Sequence, residues 1–263
     1  MTPKHDTPSG RRPCPVDLAE RERQAHVLYR RLATDDFAVD LKIGLNLGFY
    51  RTFAVPAIAR VLAGTGKMTT RPKVRAKVTG EMMYALIHHG LDAPRGQAVI
   101  DALVRLHAGL PAAEEDFVYV LAAFCVTPLR WIDQHAWRPT TRTERDAAHV
   151  FYAGLARRMG IDGMPDSYAE LAAWMTRYET ERFAPTPEGR LLLGSTRSVL
   201  ADRFPRPVAP LAQAAFGALF DDRARRAFGM RKPGVPLRWG VAAALWARGR
   251  WMRRRRAGTF DRS

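Results

Sequence analysis

Apolar residues recur along most of this chain at spacings of three and four residues, which is the period of amphipathic α-helices. Strand-like alternation between tight Asn-Gly or Asp-Gly turns is scarce. Proline, glycine and capping residues delimit the predicted helices, which span 16–33, 56–64, 72–89, 94–109, 117–134, 143–159, 168–182 and 184–204. We therefore predict an all-α protein, a single multi-helix domain with a globin-like helical core.

Composition divides the chain into three parts. We predict a disordered leader at 1–15, a helical domain at 16–222 and a basic C-terminal extension at 223–263. The breaker Lys232-Pro233-Gly234-Val235-Pro236 predicts that the extension contains only short helical pieces. Residues 1–16 lack the apolar segment of a secretory signal, and the apolar stretch 239–247 is about half of the roughly 20 residues that span a bilayer. We expect a cytoplasmic protein without a transmembrane helix.

The formal net charge of +16 is concentrated in the basic extension, which holds 13 Lys or Arg residues and one acid, Asp261. This is +12 of the total, so the other 222 residues carry only +4. A nearly neutral body disfavours a nucleic-acid partner, although the tail alone could bind nucleic acid nonspecifically. Tryptophans interleave with arginines in the tail, which suits either an anionic membrane surface or a docked helix with a solvated charged end.

The sequence lacks the motifs of several protein classes. It contains no HExxH, GxSxG, P-loop or GxGxxG motif and no Glu-x-x-His pair of the di-iron bundles. Its two cysteines, Cys14 and Cys125, have no metal-binding spacing. Hydrolase, kinase, di-iron and structural-zinc assignments therefore lose their usual support.

His107 is the main candidate for chemistry. Apolar residues recur around it at helical spacing, so its imidazole projects from the apolar stripe of the predicted helix. An imidazole in an apolar wall is suited to axial ligation of haem. A core histidine bonded to a backbone carbonyl would give the same pattern, and spacing alone does not separate the two.

Two further pairs are candidates for binding a cofactor. Arg75 and Thr79 are four residues apart on the preceding helix, so both project to one side. They could hold a propionate or an oxygen species, or they could be an exposed arginine and a threonine bonded to its own helix. Arg130 and Trp131 could pack on the edge of a macrocycle or anchor neighbouring helices.

The chain from Arg75 to about Leu192, nearly half of the sequence, resembles the MpaB and rubber-oxygenase (latex-clearing protein) family. It shares an Arg-x-x-x-Thr helix at Arg75 and Thr79, and a histidine, His107, at a similar interval downstream. The more specific matching segments are Asp116-Phe-Val-Tyr-Val-Leu-Ala-Ala-Phe124, Pro128-Leu-Arg-Trp-Ile132, Trp137-Arg138-Pro139 and Arg158-Met-Gly-Ile161.

The rubber oxygenases of this family are b-type haem proteins, so the resemblance implies haem b and its iron as the cofactor. It implies that His107 is the proximal ligand and that Arg75 and Thr79 lie on the distal side. Rubber oxygenases carry a lysine directly before the distal threonine, where this chain has Val78. A lysine-capped iron is therefore not implied, and we expect an open or water-bound distal site.

The implied function is dioxygen-dependent oxidation of a hydrophobic isoprenoid- or lipid-like substrate, extending to cleavage of C=C bonds. Arg130 and Trp131 are expected beside the cofactor. The basic tail would bring the enzyme to an anionic membrane as a peripheral protein. Two alternatives stay open: a haem-free helical binding or scaffold protein, and a nucleic-acid-associated protein acting through its tail.

Overall fold

The computed structural model describes residues 15–66, 72–201 and 215–260, and every regular element in these ranges is helical. The all-α prediction is confirmed, while nearly all of the predicted leader lies outside the described residues. In chain order the elements are α1 Pro15–Arg31, a π-helical turn Leu32–Asp36, α2 Ala38–Thr52, α3 Pro56–Gly64, α4 Pro72–His89, α5 Pro94–His107, α6 Glu114–His135, α7 Arg142–Met159, α8 Tyr168–Arg182, α9 Pro187–Ala201, α10 Asp222–Ala227 and α11 Val235–Phe260.

Helices α4, α5 and α8 lie where local signals predict them. Pro72 and Pro94 each begin a helix, in the first turn, where a missing N–H leaves no bond unmade. Gly90 follows α4 with a φ of 83°, a conformation that glycine adopts without strain. Ser167 caps α8 by accepting a hydrogen bond from the Glu170 backbone N–H.

Helices α6 and α7 begin earlier than predicted, at Glu114 and Arg142. The cause in α7 is a capping box one residue before the helix. The Glu144 N–H donates to Thr141 Oγ1 at 3.2 Å, and the Thr141 N–H donates to the Glu144 carboxylate at 2.7 Å. The sequence contains this Thr-x-x-Glu signal, but the prediction placed the start too late.

The prediction of short helical pieces in the C-terminal part is right for α10, which has six residues, and wrong for α11, which is one helix of 26 residues. The breaker separates α10 from α11 rather than interrupting a helix, and its last two residues, Val235 and Pro236, lie in the first turn of α11, where proline is tolerated. No helix was predicted for the stretch around Gly44 and Gly48, but in the structure this stretch lies inside the continuous helix α2. The boundary of the extension at residue 223 stays a prediction.

Helices α2 and α6 pack against each other with their backbones almost in contact. A Cβ atom added to Gly44 would lie 2.2 Å from Pro128 Cα, and one added to Gly48 would lie 2.5 Å from the Ala123 carbonyl oxygen. Both distances are too short for any side chain. The two glycines are therefore required for the close approach of α2 to α6. The same contact covers α6 at Pro128, which cannot donate a backbone hydrogen bond.

The main hydrophobic core surrounds α6 and includes residues of α1, α2, α4, α7 and α8. A second apolar cluster joins α2 to the segment before α10 through Phe53, Phe216, Phe220 and Phe228, all buried. The Tyr50 ring contacts both Phe53 and Phe216, the latter at 5.5 Å between centroids, and so attaches the C-terminal part of the chain to the body. Burial of large aromatic side chains is a strong stabilising contribution to such packing.

Helix α11 is docked on the body by a buried carboxylate. Asp40 is fully buried, and its carboxylate accepts hydrogen bonds from the Arg248 guanidinium at 2.7 and 3.0 Å and from the Trp131 indole N–H at 3.1 Å. Gly249 faces the end of α6, where an added Cβ would lie 3.1 Å from the His135 carbonyl oxygen.

In the ranges 15–66, 72–201 and 215–260, no helix has both the length and the hydropathy to cross a bilayer.

We predict that Gly44→Ala destabilises the protein by about 3 kcal/mol or more, because the added methyl group meets the backbone of α6 and cannot be relieved by a side-chain rotation. Gly194→Ala is the matched control. Gly194 lies inside α9, and a Cβ atom added there would have no described atom of another element within 4 Å. This control is expected to gain about 1 kcal/mol through helix propensity. Urea unfolding measures both, and equal midpoints for the two variants would contradict the proposed packing.

Candidate functional site

A mostly apolar cavity of about 150 Å³ lies where α2, α3, α4, α5 and α6 meet. Each helix contributes apolar side chains to its wall, among them Phe49, Ile58, Met82, Leu103 and Phe117. Among the side chains that the structure describes, the polar ones that reach this wall are Thr52, Thr79, His107 and Asp116. We call this space the His107 cavity.

His107 is the last residue of α5 and lines the cavity. Its ring packs edge to face against Phe117, with 5.5 Å between the ring centroids and 65° between the planes. Its Nδ1 atom is buried. The sequence-based prediction that His107 projects into an apolar environment thus agrees with the structure, while its role as a haem ligand stays a prediction.

Thr79 lines the same cavity from α4. Arg75 belongs to the same helix, one turn earlier, but its side chain lies outside the described part of the structure. Val78, at the position of the rubber-oxygenase lysine, is 39% exposed and does not line the cavity. The structure therefore brings Thr79 and His107 together and keeps the side chain at position 78 near the surface.

Arg130 and Trp131 do not line the His107 cavity. They line a second, larger cavity of about 560 Å³ between α6, residues 218–221 and α11. Arg130 donates hydrogen bonds to the Ala172 carbonyl oxygen and to Thr176 Oγ1, both at 2.9 Å, so it anchors α6 to α8. The alternative in which these residues anchor helices matches their contacts, and a role beside the cofactor stays a prediction.

Asp116 connects the His107 cavity to a buried polar network. Its carboxylate accepts hydrogen bonds from the Tyr178 hydroxyl and from the Ala113 backbone N–H, the latter at 3.1 Å. Burial and the adjacent Asp116 carboxylate raise the pKa of Tyr178 well above its usual range, so this hydroxyl remains a donor. The ring of Tyr119 stacks on Tyr178 at 4.7 Å between centroids.

The network continues into an ion pair between α2 and α8. Arg51 donates to both Glu179 oxygens, at 2.7 and 2.5 Å, and to Asp221 at 2.7 Å, while the Tyr119 hydroxyl donates to Glu179 at 3.1 Å. Burial opposes the charge on Arg51, but the hydrogen bonds and charge of Glu179 outweigh it and raise the pKa of Arg51. A bidentate pair of this kind fixes the relative position of the two helices.

Two other histidines make the hydrogen bond to a backbone carbonyl oxygen that is typical of a structural histidine. His149 Nε2 lies 2.7 Å from the Pro165 carbonyl oxygen, and His26 Nε2 lies 2.8 Å from the Ile87 carbonyl oxygen. Among the residues that the structure describes, no three His, Cys, Asp or Glu side chains converge as a set of metal ligands. A haem iron requires only one or two axial ligands from the protein, so His107 alone is an adequate donor.

Sequence reasoning missed the role of Asp116 in the cavity wall, because this residue entered it only as the first residue of a matching segment. Its partner Tyr178 is 62 positions away along the chain. No local pattern joins the two residues. The available signal was the matching segment that begins at Asp116, which marked the region as specific without giving a contact.

The fold and the cavity together define an all-α protein with a histidine and a threonine in the wall of an apolar cavity. The sequence profile of the family described as ER-bound oxygenase mpaB/B'/Rubber oxygenase, catalytic domain, matches residues 40–254. This chain belongs to that family, as the Arg-x-x-x-Thr helix and His107 implied.

Fungal oxygenases are among the similar proteins. The chain is 24% identical over 225 residues to the ER-bound oxygenase mpaB' of Penicillium brevicompactum, covering 78% of this chain and 53% of the relative. It is 26% identical over 201 residues to the ER-bound oxygenase mpaB of Penicillium roqueforti (strain FM164), covering 69% of this chain and 67% of the relative. The chain thus spans between half and two thirds of the length of these curated relatives.

We predict that Tyr178→Phe destabilises the protein by about 1 to 3 kcal/mol, because it removes a hydrogen bond from the buried Asp116 carboxylate. Tyr168→Phe is the control, since the Tyr168 hydroxyl forms no side-chain hydrogen bond within the described ranges and its loss should cost under about 0.5 kcal/mol. Thermal or urea unfolding compares the two variants. A loss at Tyr178 no larger than that at Tyr168 would show that the Asp116 contact contributes nothing.

Proposed function

We propose that this protein is a haem-dependent oxygenase that uses dioxygen to oxidise a hydrophobic, isoprenoid- or lipid-like substrate, with His107 as an axial ligand of the iron. The observation that carries the proposal is the position of His107 in the wall of an apolar cavity. Membership in an oxygenase family and the names of the fungal relatives, which are ER-bound oxygenases, support the reaction class. More specifically, we propose that this oxidation cleaves C=C bonds of the substrate.

The donors around the cavity suit a haem. An iron ligand is available in the His107 imidazole, a half-buried side chain whose ring packs against Phe117 and whose Nδ1 atom is buried. Most of the surrounding side chains are aliphatic, aromatic or thioether groups, which pack well against a flat macrocycle. The Asp116 carboxylate in the same wall is held by hydrogen bonds from the Tyr178 hydroxyl and the Ala113 N–H. On chemical grounds, the residues present therefore fit the cofactor.

The size of the cavity adds a condition. Its volume of about 150 Å³ is below the roughly 300–1,000 Å³ of small-molecule sites, so binding of haem requires the walls to separate. Met82 and Met83 both line it from α4. Methionine side chains are unbranched and adapt to irregular spaces, so rearrangement of these two supplies part of the room.

The polar groups of the proposed site lie on α4. Thr79 contributes a hydroxyl to a mostly apolar wall, where it can donate a hydrogen bond to a polar group inside the cavity. Arg75 is four residues earlier on the same helix, and we propose it as the cation for a propionate. Haem, when bound, supplies the oxygen chemistry, while the apolar side chains exclude water and hold the hydrocarbon substrate.

We also propose that the protein acts in the cytoplasm, in peripheral contact with a membrane. Two other functions make different predictions. A haem-free helical binding protein would have no bound chromophore at all. A nucleic-acid-associated protein would depend on its basic tail and would bind with a steep dependence on salt concentration.

We predict that the purified wild type shows a haem Soret band, or acquires one when hemin is added, and that His107→Ala loses or shifts this band because the iron loses its axial ligand. His89→Ala is the matched control, since His89 is exposed at the end of α4 and does not line the cavity. This control should retain the wild-type spectrum.

The outcomes of this experiment separate the proposals. A wild type with no Soret band even after addition of hemin would contradict a haem protein and support the haem-free alternative. A His107→Ala variant with an unchanged band would retain the cofactor but exclude His107 as the ligand. Unfolding of each variant in urea checks that a lost band does not reflect a lost fold.

We predict that Thr79→Val lowers the rate of dioxygen consumption by about tenfold while haem binding is retained, because the substitution removes one hydrogen-bond donor at nearly constant volume. The assay uses the haem-loaded protein, a short polyisoprenoid in detergent micelles and an oxygen electrode. The reciprocal substitution Val78→Thr adds a hydroxyl at the neighbouring, partly exposed position and should leave the rate unchanged. Equal rates for Thr79→Val and the wild type would exclude a role for the hydroxyl.

A further inference from the structure

We propose that the outward side of α11 is a binding surface for an anionic lipid bilayer. We call it the α11 outer face, and its residues are Trp239, Ala243, Trp246, Arg250 and Arg254. Trp251 and Arg255 lie on its flank, because Trp251 is five residues, or about 140° around the helix, past Trp246. This proposal stands apart from the haem and from the oxygenase reaction, because it rests only on the exposure and charge of one helix.

The inward side of α11 is fixed to the body, so the outer face has a defined orientation. Arg248 pairs with the buried Asp40, and near the end of the helix Arg256 donates to Asp36 at 2.9 Å. Arg253 Nε donates to the Trp137 carbonyl oxygen at 2.8 Å. Because the helix is already ordered and docked, binding of a flat partner would not have to supply the entropy of folding it.

Large apolar side chains of this helix are exposed to solvent, with Trp239 at the rim of the larger cavity between α11 and the body. Trp239 is 72% exposed, Trp246 is 67% exposed and Trp251 is 55% exposed. Exposed residues recur at spacings of four, three and four from Trp239 through Ala243 and Trp246 to Arg250, which places them in one line along the helix. Three solvent-facing tryptophans on one helix are costly in water unless a partner covers them.

The charge of α11 has one sign. The helix contains seven arginines and no acidic residue. Three of the arginines are used to dock the helix, and neither Arg250 nor Arg254 forms an ion pair with any described residue. The guanidinium of Arg250 lies 5.5 Å from the ring centre of Trp246, and that of Arg255 lies 4.3 Å from the ring centre of Trp251. Each of these two arginines therefore holds its positive charge beside an indole ring.

This combination matches the interface of an anionic bilayer better than other occupants. Indole rings are favoured at the level of the lipid headgroups, and each arginine near an anionic surface adds to the attraction. A single-stranded nucleic acid would also meet aromatic and basic groups, but such sites are grooves that follow the strand, whereas the outer face of a helix is convex. A second copy of the same face would bring like charges together.

The test uses the complete chain and vesicles of phosphatidylcholine, either alone or mixed with phosphatidylserine. Sedimentation gives the bound fraction, and tryptophan fluorescence reports insertion, because indole emission shifts to shorter wavelength away from water. We expect binding to the mixed vesicles, weaker binding at high salt and a blue shift on binding. The double variant Arg250→Gln with Arg254→Gln should weaken binding about 30-fold. The double variant Trp239→Ser with Trp246→Ser should bind more weakly and lose most of the shift.

Matched controls remove the same charge or apolar surface elsewhere. Arg142→Gln with Arg177→Gln changes the net charge equally at exposed positions of α7 and α8, and Val27→Ser with Leu191→Ser removes exposed apolar side chains of α1 and α9. Both controls should bind like the wild type. The absorption of added hemin by the α11 variants should also match the wild type, which keeps this test separate from that of the haem site.

Three results would overturn the proposal. The α11 variants and their controls could bind vesicles equally, which would reduce the effect to net charge. The wild type could fail to bind the mixed vesicles while binding a single-stranded oligonucleotide, which would assign the face to nucleic acid. Light scattering could instead reveal a dimer that the tryptophan substitutions dissociate, which would assign it to a second copy of this chain.

Discussion

Helices α2 and α6 touch backbone to backbone because Gly44 and Gly48 carry no side chain at the contact with Pro128 and Ala123. This contact determines where both helices present their remaining residues. One part of α2 carries Phe49 and Thr52 into the His107 cavity, and α6 brings side chains to the same wall. Any greater separation of the two helices would open the core and displace the wall against which the His107 ring packs.

Buried charged groups fix the relative positions of helices that apolar packing alone would leave adjustable. Arg51 and Glu179 join α2 to α8, while Asp40 joins α2 to α6 through Trp131 and to α11 through Arg248. Such pairs contribute little net stability, because desolvation offsets most of their attraction, but an unmatched partner would be strongly destabilising. Both anchors sit on α2, so the helix that packs most closely on α6 also sets the positions of α8 and α11.

Local signals in the sequence were sufficient for part of this arrangement. The ends of α4, α5 and α8 follow from proline, glycine and a serine cap, and the apolar spacing around His107 places it in a cavity. Contacts between distant segments were not predictable. No helix was predicted around Gly44 and Gly48, because the helix that requires these glycines is about 80 positions away along the chain. Arg130 and Trp131 follow the cavity residues along the same helix, yet they face a different space, since α6 has a second side directed to α8 and α11.

The two ends of α6 border two different cavities. Near its start, Phe117 and Val120 belong to the wall of the His107 cavity, and near its end, Trp131 and His135 border the larger cavity beside α11. Burial, and the positive charge of Arg248, lower the pKa of His135 despite the opposing Asp40 carboxylate. A neutral imidazole at this position adds no positive charge next to Arg248, so the Asp40 carboxylate remains matched by one cation. The contacts that dock α11 through Asp40 involve none of the residues that line the His107 cavity.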